Sequence, residues 1–217
     1  MKNPHLPFIA PFLIFLGFLA LQPYLAPLGV WEYPLRVALL AGVIWYFSRD
    51  VLSFRLVAPL TSVALGLVVF AIWIGPDVLI PGYRQNPIFA KLASGGAPDP
   101  NLISSPLAQF FRTARAVVIV PIVEELFWRA WLMRWIIKPD FWEVPLGTYA
   151  LNAFLITAAL FASEHGNYWD VGLICGLIYN WWMIRTKSLG DLILTHAVTN
   201  LALSIYTIAT QKWEYWL

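Results

Sequence analysis

Seven long apolar runs, set apart by short polar clusters, give the chain its pattern. They lie at roughly 6–25, 28–48, 56–74, 116–137, 144–163, 171–184 and 192–210. A helix needs about 20 mainly apolar residues to cross a bilayer. The pattern therefore predicts an all-α, polytopic membrane helix bundle of about seven transmembrane helices. The first, third and fifth runs carry no charge. The second starts with Glu32 and Arg36, and the sixth is short. The seventh is polar in places but holds no Asp, Glu, Lys or Arg. Pro11, Pro59 and Pro121 fall within runs, and such breaks are tolerated in membranes where neighbours re-satisfy the backbone. Pro121 precedes Glu124 by three residues, so a local opening is expected there. One integral membrane domain over 1–217 is expected. It divides into three spans within 1–75, an irregular Gly/Pro-rich loop over 76–115, and a core over 116–210 that carries the polar motifs.

Composition agrees with this reading. Hydrophobic residues make up 60% of the 217 and charged residues only 12%, against about 25% charged in soluble domains. Mean hydropathy is +0.69. The net charge of +2 is small and scattered, which argues against a nucleic-acid partner. The single cysteine, Cys175, sits in an apolar run and reads as a small buried hydrophobe. Short loops rich in Lys and Arg mark the cytoplasmic side. Lys2, Arg49, Arg55, Arg134, Lys138, Arg185 and Lys187 fall on one side of a seven-span arrangement, with the N-terminus cytoplasmic. Arg84, Lys91, Arg112 and Arg115 fall on the other side, in the long loop. No small-x-small cleavage site follows the first run, so an uncleaved first span is expected.

The fourth run contains the costly residues. Glu124, Glu125 and Arg129 interrupt an apolar and aromatic stretch, and a charge at mid-bilayer costs about 2.5–3.5 kcal/mol on insertion scales. Glu125 and Arg129 are i and i+4 and can pair. Glu124 lies about 100° round the helix and must face something polar elsewhere. Few groups are available: His165, His196 with Asn200 one turn later, and Asn152 and Asn180. His5, near the N-terminus, is expected to be solvated, and Glu164 reads as a solvated loop acid. Phe161 reads as packing. Trp181, Trp182, Trp213 and Trp216 read as interface anchors. The economical arrangement is one cluster drawn from three helices. An acid and two imidazoles there could hold Zn2+ or another divalent metal, with Glu124, His165 and His196 as ligands and an open position for water. Alternatively, Glu124 with a histidine could deprotonate water without a metal, while Asn200 donates to the oxyanion. In this layout His165 falls near the outer end of the fifth span, whereas Glu124 is deeper.

Three motifs occur in order: EExxxR as Glu124, Glu125 and Arg129; FxxxH as Phe161 and His165; HxxxN as His196 and Asn200. Over about 115–204 the chain resembles the CAAX-protease and bacteriocin-processing family (CPBP, or Abi) of intramembrane endopeptidases. Its amino-terminal half faintly resembles a bacterial branch that accompanies exosortase-type protein sorting. The resemblance implies a peptidase of the bacterial plasma membrane whose partners are the lipid bilayer and a protein or peptide substrate. It implies that Glu124 is the base or a metal ligand and that Glu125 and Arg129 hold it in place. It further implies that His165 is a second water-activating group, with His196 and Asn200 on the metal or oxyanion side. No HExxH, GxGD or rhomboid-type GxSx pattern is present. Two other readings stay open: a non-proteolytic membrane scaffold or chaperone of the same fold, and a proton-coupled transporter using the buried acids as a relay.

Overall fold

The computed structural model describes residues 3–90 and 100–216, so Lys2, Lys91 and most of the Gly/Pro-rich ASGGAPDP stretch lie outside the described residues. The described residues form helices and no strand, as the apolar pattern predicts. Helix α1 spans Leu6–Ala20, α2 spans Glu32–Ser48 and α3 spans Pro59–Leu79. A continuous helix over 106–137 is α4; α5 is Leu151–Ser163, α6 is Trp169–Thr186 and α7 is Leu189–Thr210. Among the described residues, three segments are long and apolar enough to cross a membrane by length and composition: Gln22–Ser48, Pro59–Leu79 and Leu189–Thr210. Leu6–Ala20 and Leu151–Ser163 are shorter apolar helices.

Local chemistry explains several boundaries. Pro59 starts α3 and does not interrupt it, since a helix's first turn needs no proline N–H. The side-chain carboxylate of Asp191, from the start of α7, accepts from the amides of Val57 at 2.6 Å and Ala58 at 2.9 Å, and from the Ser62 hydroxyl at 3.0 Å. The N-terminus of α3 is thus capped from another helix. α7 begins at Ser188, whose hydroxyl accepts from the Asp191 amide at 3.1 Å, a capping arrangement. α6 ends where Lys187 turns left-handed, at φ 53°. α3 and α7 pack so closely that a Cβ on Gly66 would lie 2.6 Å from the Thr195 carbonyl oxygen.

The stretch expected as an irregular loop is partly helical. α3 runs on to Leu79, a short turn follows at Tyr83–Gln85, and α4 starts at Pro106, ten residues before the apolar run begins. α4 is widened twice, over Arg115–Ile119 and Leu126–Leu132. In the first widened turn Val120 bonds back five residues to Arg115. In the same register Pro121, which lacks an N–H, leaves the Ala116 carbonyl without a helical donor.

Contacts between chain ends fix which elements share an end of the bundle. The Ser48 hydroxyl donates to Pro7 O at 2.6 Å, Ser188 to Arg55 O at 2.8 Å, and Arg134 to Val144 O at 2.6 Å. Arg49, Arg55, Arg134, Lys138, Arg185 and Lys187 therefore lie on elements that meet at one end. Of the basic residues of the long loop, Arg84 and Arg112 lie at the other end and are turned inward. Arg84 donates to Asp77 at 2.9 Å and Asp170 at 2.5 Å, and Arg112 donates to the Trp216 carbonyl. Burial pulls the Arg84 guanidinium's pKa down, but the hydrogen bond and charge of Asp170 and the charge of Asp77 outweigh it, for a net rise. Arg84 and Arg112 are thus held by partners within the bundle, which removes much of their conflict with the Lys/Arg asymmetry.

Several side chains depart from the expectations. His5 is not simply solvated: its Nδ1 accepts from the Trp131 indole at 3.0 Å, and its ring lies 5.3 Å from Phe141. Trp182 and Trp216 are buried inside the bundle and are not interface anchors; the Trp182 indole donates to Ser62 at 3.1 Å. Asn152 is exposed and takes no part in the polar cluster.

Candidate active site

A cavity of about 470 Å³ opens among α1, α4, α5, α6 and α7, and Glu124, Phe161, His165, His196 and Asn200 all line it. It also answers the depth problem. His165 stands two residues beyond the end of α5, and the cavity continues from there to Glu124. Glu125 and Arg129 lie behind this wall, both 0% exposed.

The hidden pair organises the visible groups. Both Glu125 carboxylate oxygens accept from one Arg129 nitrogen, at 3.2 and 3.1 Å. Arg129 Nε donates to Asn180 Oδ1 at 2.9 Å, and Asn180 in turn donates to the Phe154 carbonyl at 2.8 Å. Asn180, one of the polar residues noted in the sequence, thereby ties α4 to α6 and α5. The Phe161 ring covers the Arg129 guanidinium at 4.4 Å and meets the His165 ring at 4.6 Å. Phe161 therefore separates a buried cation from the cavity, a use that packing alone does not describe.

Glu125 does more than pair with Arg129. Its Oε1 lies 2.8 Å from His196 Nδ1. A carboxylate beside an arginine can only accept, so Nδ1 carries the hydrogen and Nε2 is left bare. The same reasoning applies to His165, whose Nδ1 lies 2.8 Å from the Phe161 carbonyl oxygen. Both rings thus have a fixed tautomer with the basic nitrogen unengaged. Space for His165 comes from Gly172, where a Cβ would stand 3.3 Å from the ring. Tyr179 packs 5.1 Å from the His196 ring and donates to Thr199 at 2.9 Å.

Glu124 is 7% exposed, and its buried Oε2 has no hydrogen-bond partner among the described residues. Glu125 directs its bonds to Arg129 and His196, so it supports the cavity wall and leaves Glu124 unpaired. Asn200 donates from Nδ2 to the Ala116 carbonyl at 2.8 Å. That bond fills the acceptor stranded by Pro121 and fixes which way the amide faces, leaving its second N–H for the cavity. Glu164, read from sequence as a solvated loop acid, is exposed but also lines the cavity. Sequence reasoning also passed over Arg112 and Arg115 as cavity residues. Their position before the apolar run gave no signal, because the helical extension of α4 was not legible.

Glu124, His165 and His196 are of the right type for a divalent ion, but among the described residues no three His, Cys, Asp or Glu side chains converge as a ligand set. What the arrangement offers from its own atoms is an unpartnered carboxylate oxygen, two bare imidazole nitrogens and one amide donor around a shared space. That set can remove a proton from water and stabilise an oxyanion.

Residues 106–202 match the family model described as Rce1-like, type II CAAX prenyl endopeptidase Rce1-like. No curated protein and no solved structure matches the chain. The matched stretch contains all three motifs and most of the polar side chains around the cavity. Over residues 106–202, 97 of its 217 residues, the chain is thus similar to the Rce1-like family of type II CAAX prenyl endopeptidases.

Proposed function

We propose that the protein is an intramembrane endopeptidase that hydrolyses a peptide bond in the membrane-proximal part of a protein substrate. The observation that carries this reading is the unpartnered Glu124 Oε2 in the same cavity as two histidines whose basic nitrogens are free. Glu124, assisted by His165, takes a proton from a water molecule as its oxygen bonds to the scissile carbonyl carbon. The oxyanion that forms is met by the second amide hydrogen of Asn200, on the side of the cavity that His196 shares. Collapse breaks the C–N bond, and Glu124 returns its proton to the leaving amine. The Lys/Arg end of the bundle is the cytoplasmic end by the positive-inside rule. The cavity, next to Arg84's end, then belongs to the opposite half of the membrane.

Were Glu124, His165 and His196 to close on a divalent ion, it would supply Lewis acidity toward water. The steps above need only side chains. The test uses the protein in lipid nanodiscs with a membrane-tethered reporter. Glu124→Ala and His165→Ala are expected to abolish cleavage while the unfolding midpoint stays near wild type, and EDTA is expected to leave wild-type cleavage unchanged. Unchanged cleavage in either variant overturns the assignment. Loss of activity with EDTA, restored by Zn2+, would assign the ion instead. Proton-driven uptake by liposomes without cleavage would favour the transporter reading.

A further inference from the structure

Unlike Glu124, His196 and Asn200, His165 is not carried by a helix. It stands two residues beyond α5, and the chain turns left-handed at Gly166, φ 49°, directly after it. One hydrogen bond at Nδ1, to the Phe161 carbonyl oxygen, sets its tautomer. A single bond still lets the ring swing about that contact. The Phe161 ring from α5 and the backbone of Gly172 on α6 restrict it in part. A further contact comes from α3. The Trp73 ring lies 5.1 Å from the His165 ring at an interplanar angle of 71°, the edge-to-face arrangement that aromatic pairs favour. Trp73 is itself held in place. It stacks on Tyr168, 6.2 Å away and 17° from parallel. Tyr168 is buried, lies 5.4 Å from the Tyr215 ring and carries the Arg84 guanidinium 4.4 Å over its own ring. Arg84 is fixed in turn by Asp77 on α3, Asp170 on α6 and the Asn167 carbonyl at 2.7 Å. A chain of ring contacts thus runs from an ion-paired base through Tyr168 and Trp73 to His165, and Trp73 and His165 both line the cavity. Trp73 also packs against two apolar clusters, the main core and a smaller one around Tyr168, Val171 and Tyr215, and close packing resists its displacement.

We propose that Trp73 is a positioning residue: it holds the His165 ring so that the bare Nε2 is directed at the water that Glu124 deprotonates. This rests on the peptidase reading above. Trp73 lies outside residues 106–202, so the part of the chain that the family match does not cover contributes to the site. Its effect runs through the imidazole and is therefore read in kcat and not in KM. A misplaced catalytic group costs up to about 10²-fold. Trp73→Ala is expected to lower kcat by about 10- to 100-fold per active molecule, with KM within about twofold of wild type. Trp73→Phe keeps a ring against the imidazole and is expected to retain at least about a third of wild-type kcat. Trp73→Leu, apolar but without a ring, is expected to fall with Trp73→Ala.

The test pairs kinetics with a spectrum, both in nanodiscs. The membrane-tethered reporter is titrated as mole fraction to separate kcat from KM. For the spectrum, the chain's three histidines are labelled with 13C at Cε1, and the His165 signal is the one that His165→Ala removes. Trp73→Ala is expected to shift and broaden that signal, because a neighbouring ring current is lost and the imidazole gains motion. The His5 and His196 signals are expected to stay in place, which a general loosening of the bundle would not allow. Unchanged kcat overturns the proposal, and so does a His165 signal that does not move. A raised KM at wild-type kcat makes Trp73 a wall for substrate and also overturns it. If Trp73→Ala does not fold, Trp73→Leu against Trp73→Phe gives the same contrast, and equal kcat in those two overturns the assignment. A wild-type protein that cleaves no reporter sinks the peptidase reading instead, while the histidine spectra still decide whether Trp73 holds the ring.

Discussion

Replacing Arg129 with Met should cost more stability than any nearby apolar substitution, and a second substitution should return part of the loss. In the native protein Arg129 and Glu125 are both 0% exposed, so solvent offers no screening. Removing the cation leaves Glu125 with only the His196 Nδ1–H at 2.8 Å, and breaking one side of a buried pair costs about 3–5 kcal/mol. Asn180 Oδ1 also loses its 2.9 Å donor, within the ~1–3 kcal/mol range for an orphaned buried polar group. Adding Glu125→Gln removes the stranded negative charge, and the Gln carbonyl can still accept from His196. The double variant should then be more stable than Arg129→Met by about 2 kcal/mol, as expected when the uncompensated charge dominates the penalty. Unfolding in nanodiscs followed by tryptophan fluorescence supplies the four corners of the cycle. Glu125→Gln alone should destabilise, so its sign should reverse between the two backgrounds. If it costs the same on both, the pair is not coupled and the account of the buried wall is wrong. Cleavage should stay well below wild type in the double variant, because a Gln amide can also donate to His196 Nδ1 and so no longer fixes the tautomer that the Glu125 carboxylate sets.

Asn200→Ala should lower cleavage by roughly 10²–10³-fold, the usual cost of one oxyanion donor. Asn200→Asp should lose stability as well, since its carboxylate would face the Ala116 carbonyl now bonded at 2.8 Å; a wild-type melting curve and rate for Asn200→Asp would refute this. Gly172→Ala should displace the His165 ring, from which the new Cβ would stand 3.3 Å. A misplaced catalytic group can cost up to about 10²-fold, so kcat should fall much more than thermal stability. Asp191→Ala uncaps Val57 and Ala58 and should destabilise by about 2 kcal/mol. Cleavage per folded molecule should be retained in that variant, as measured by active-fraction titration.

Much of this architecture was present in residue order. Long apolar runs with almost no charge leave the helix as the way to satisfy backbone groups in lipid, so the all-α bundle followed from composition. The spacing of Glu125 and Arg129 gave their pairing, and the missing local partner of Glu124 pointed to a polar space beyond its own helix. The Lys/Arg asymmetry anticipated which loops share an end, because charge outside the spans is not masked by packing.

Other features depended on contacts between residues far apart in sequence. Glu125 meets His196 across 71 positions, and periodicity within one helix carries no information on which neighbour arrives there. The widening of α4 at Arg115–Ile119 moved the stranded carbonyl to Ala116, so Asn200 found its partner through a backbone register that propensity does not encode. Trp182 and Trp216 look like membrane-surface residues until neighbouring helices cover them. Sequence settled the kinds of groups that had to be buried, because their transfer cost is local. The tertiary packing decided which of those groups would face one another, because that depends on how helices distant in the chain come together.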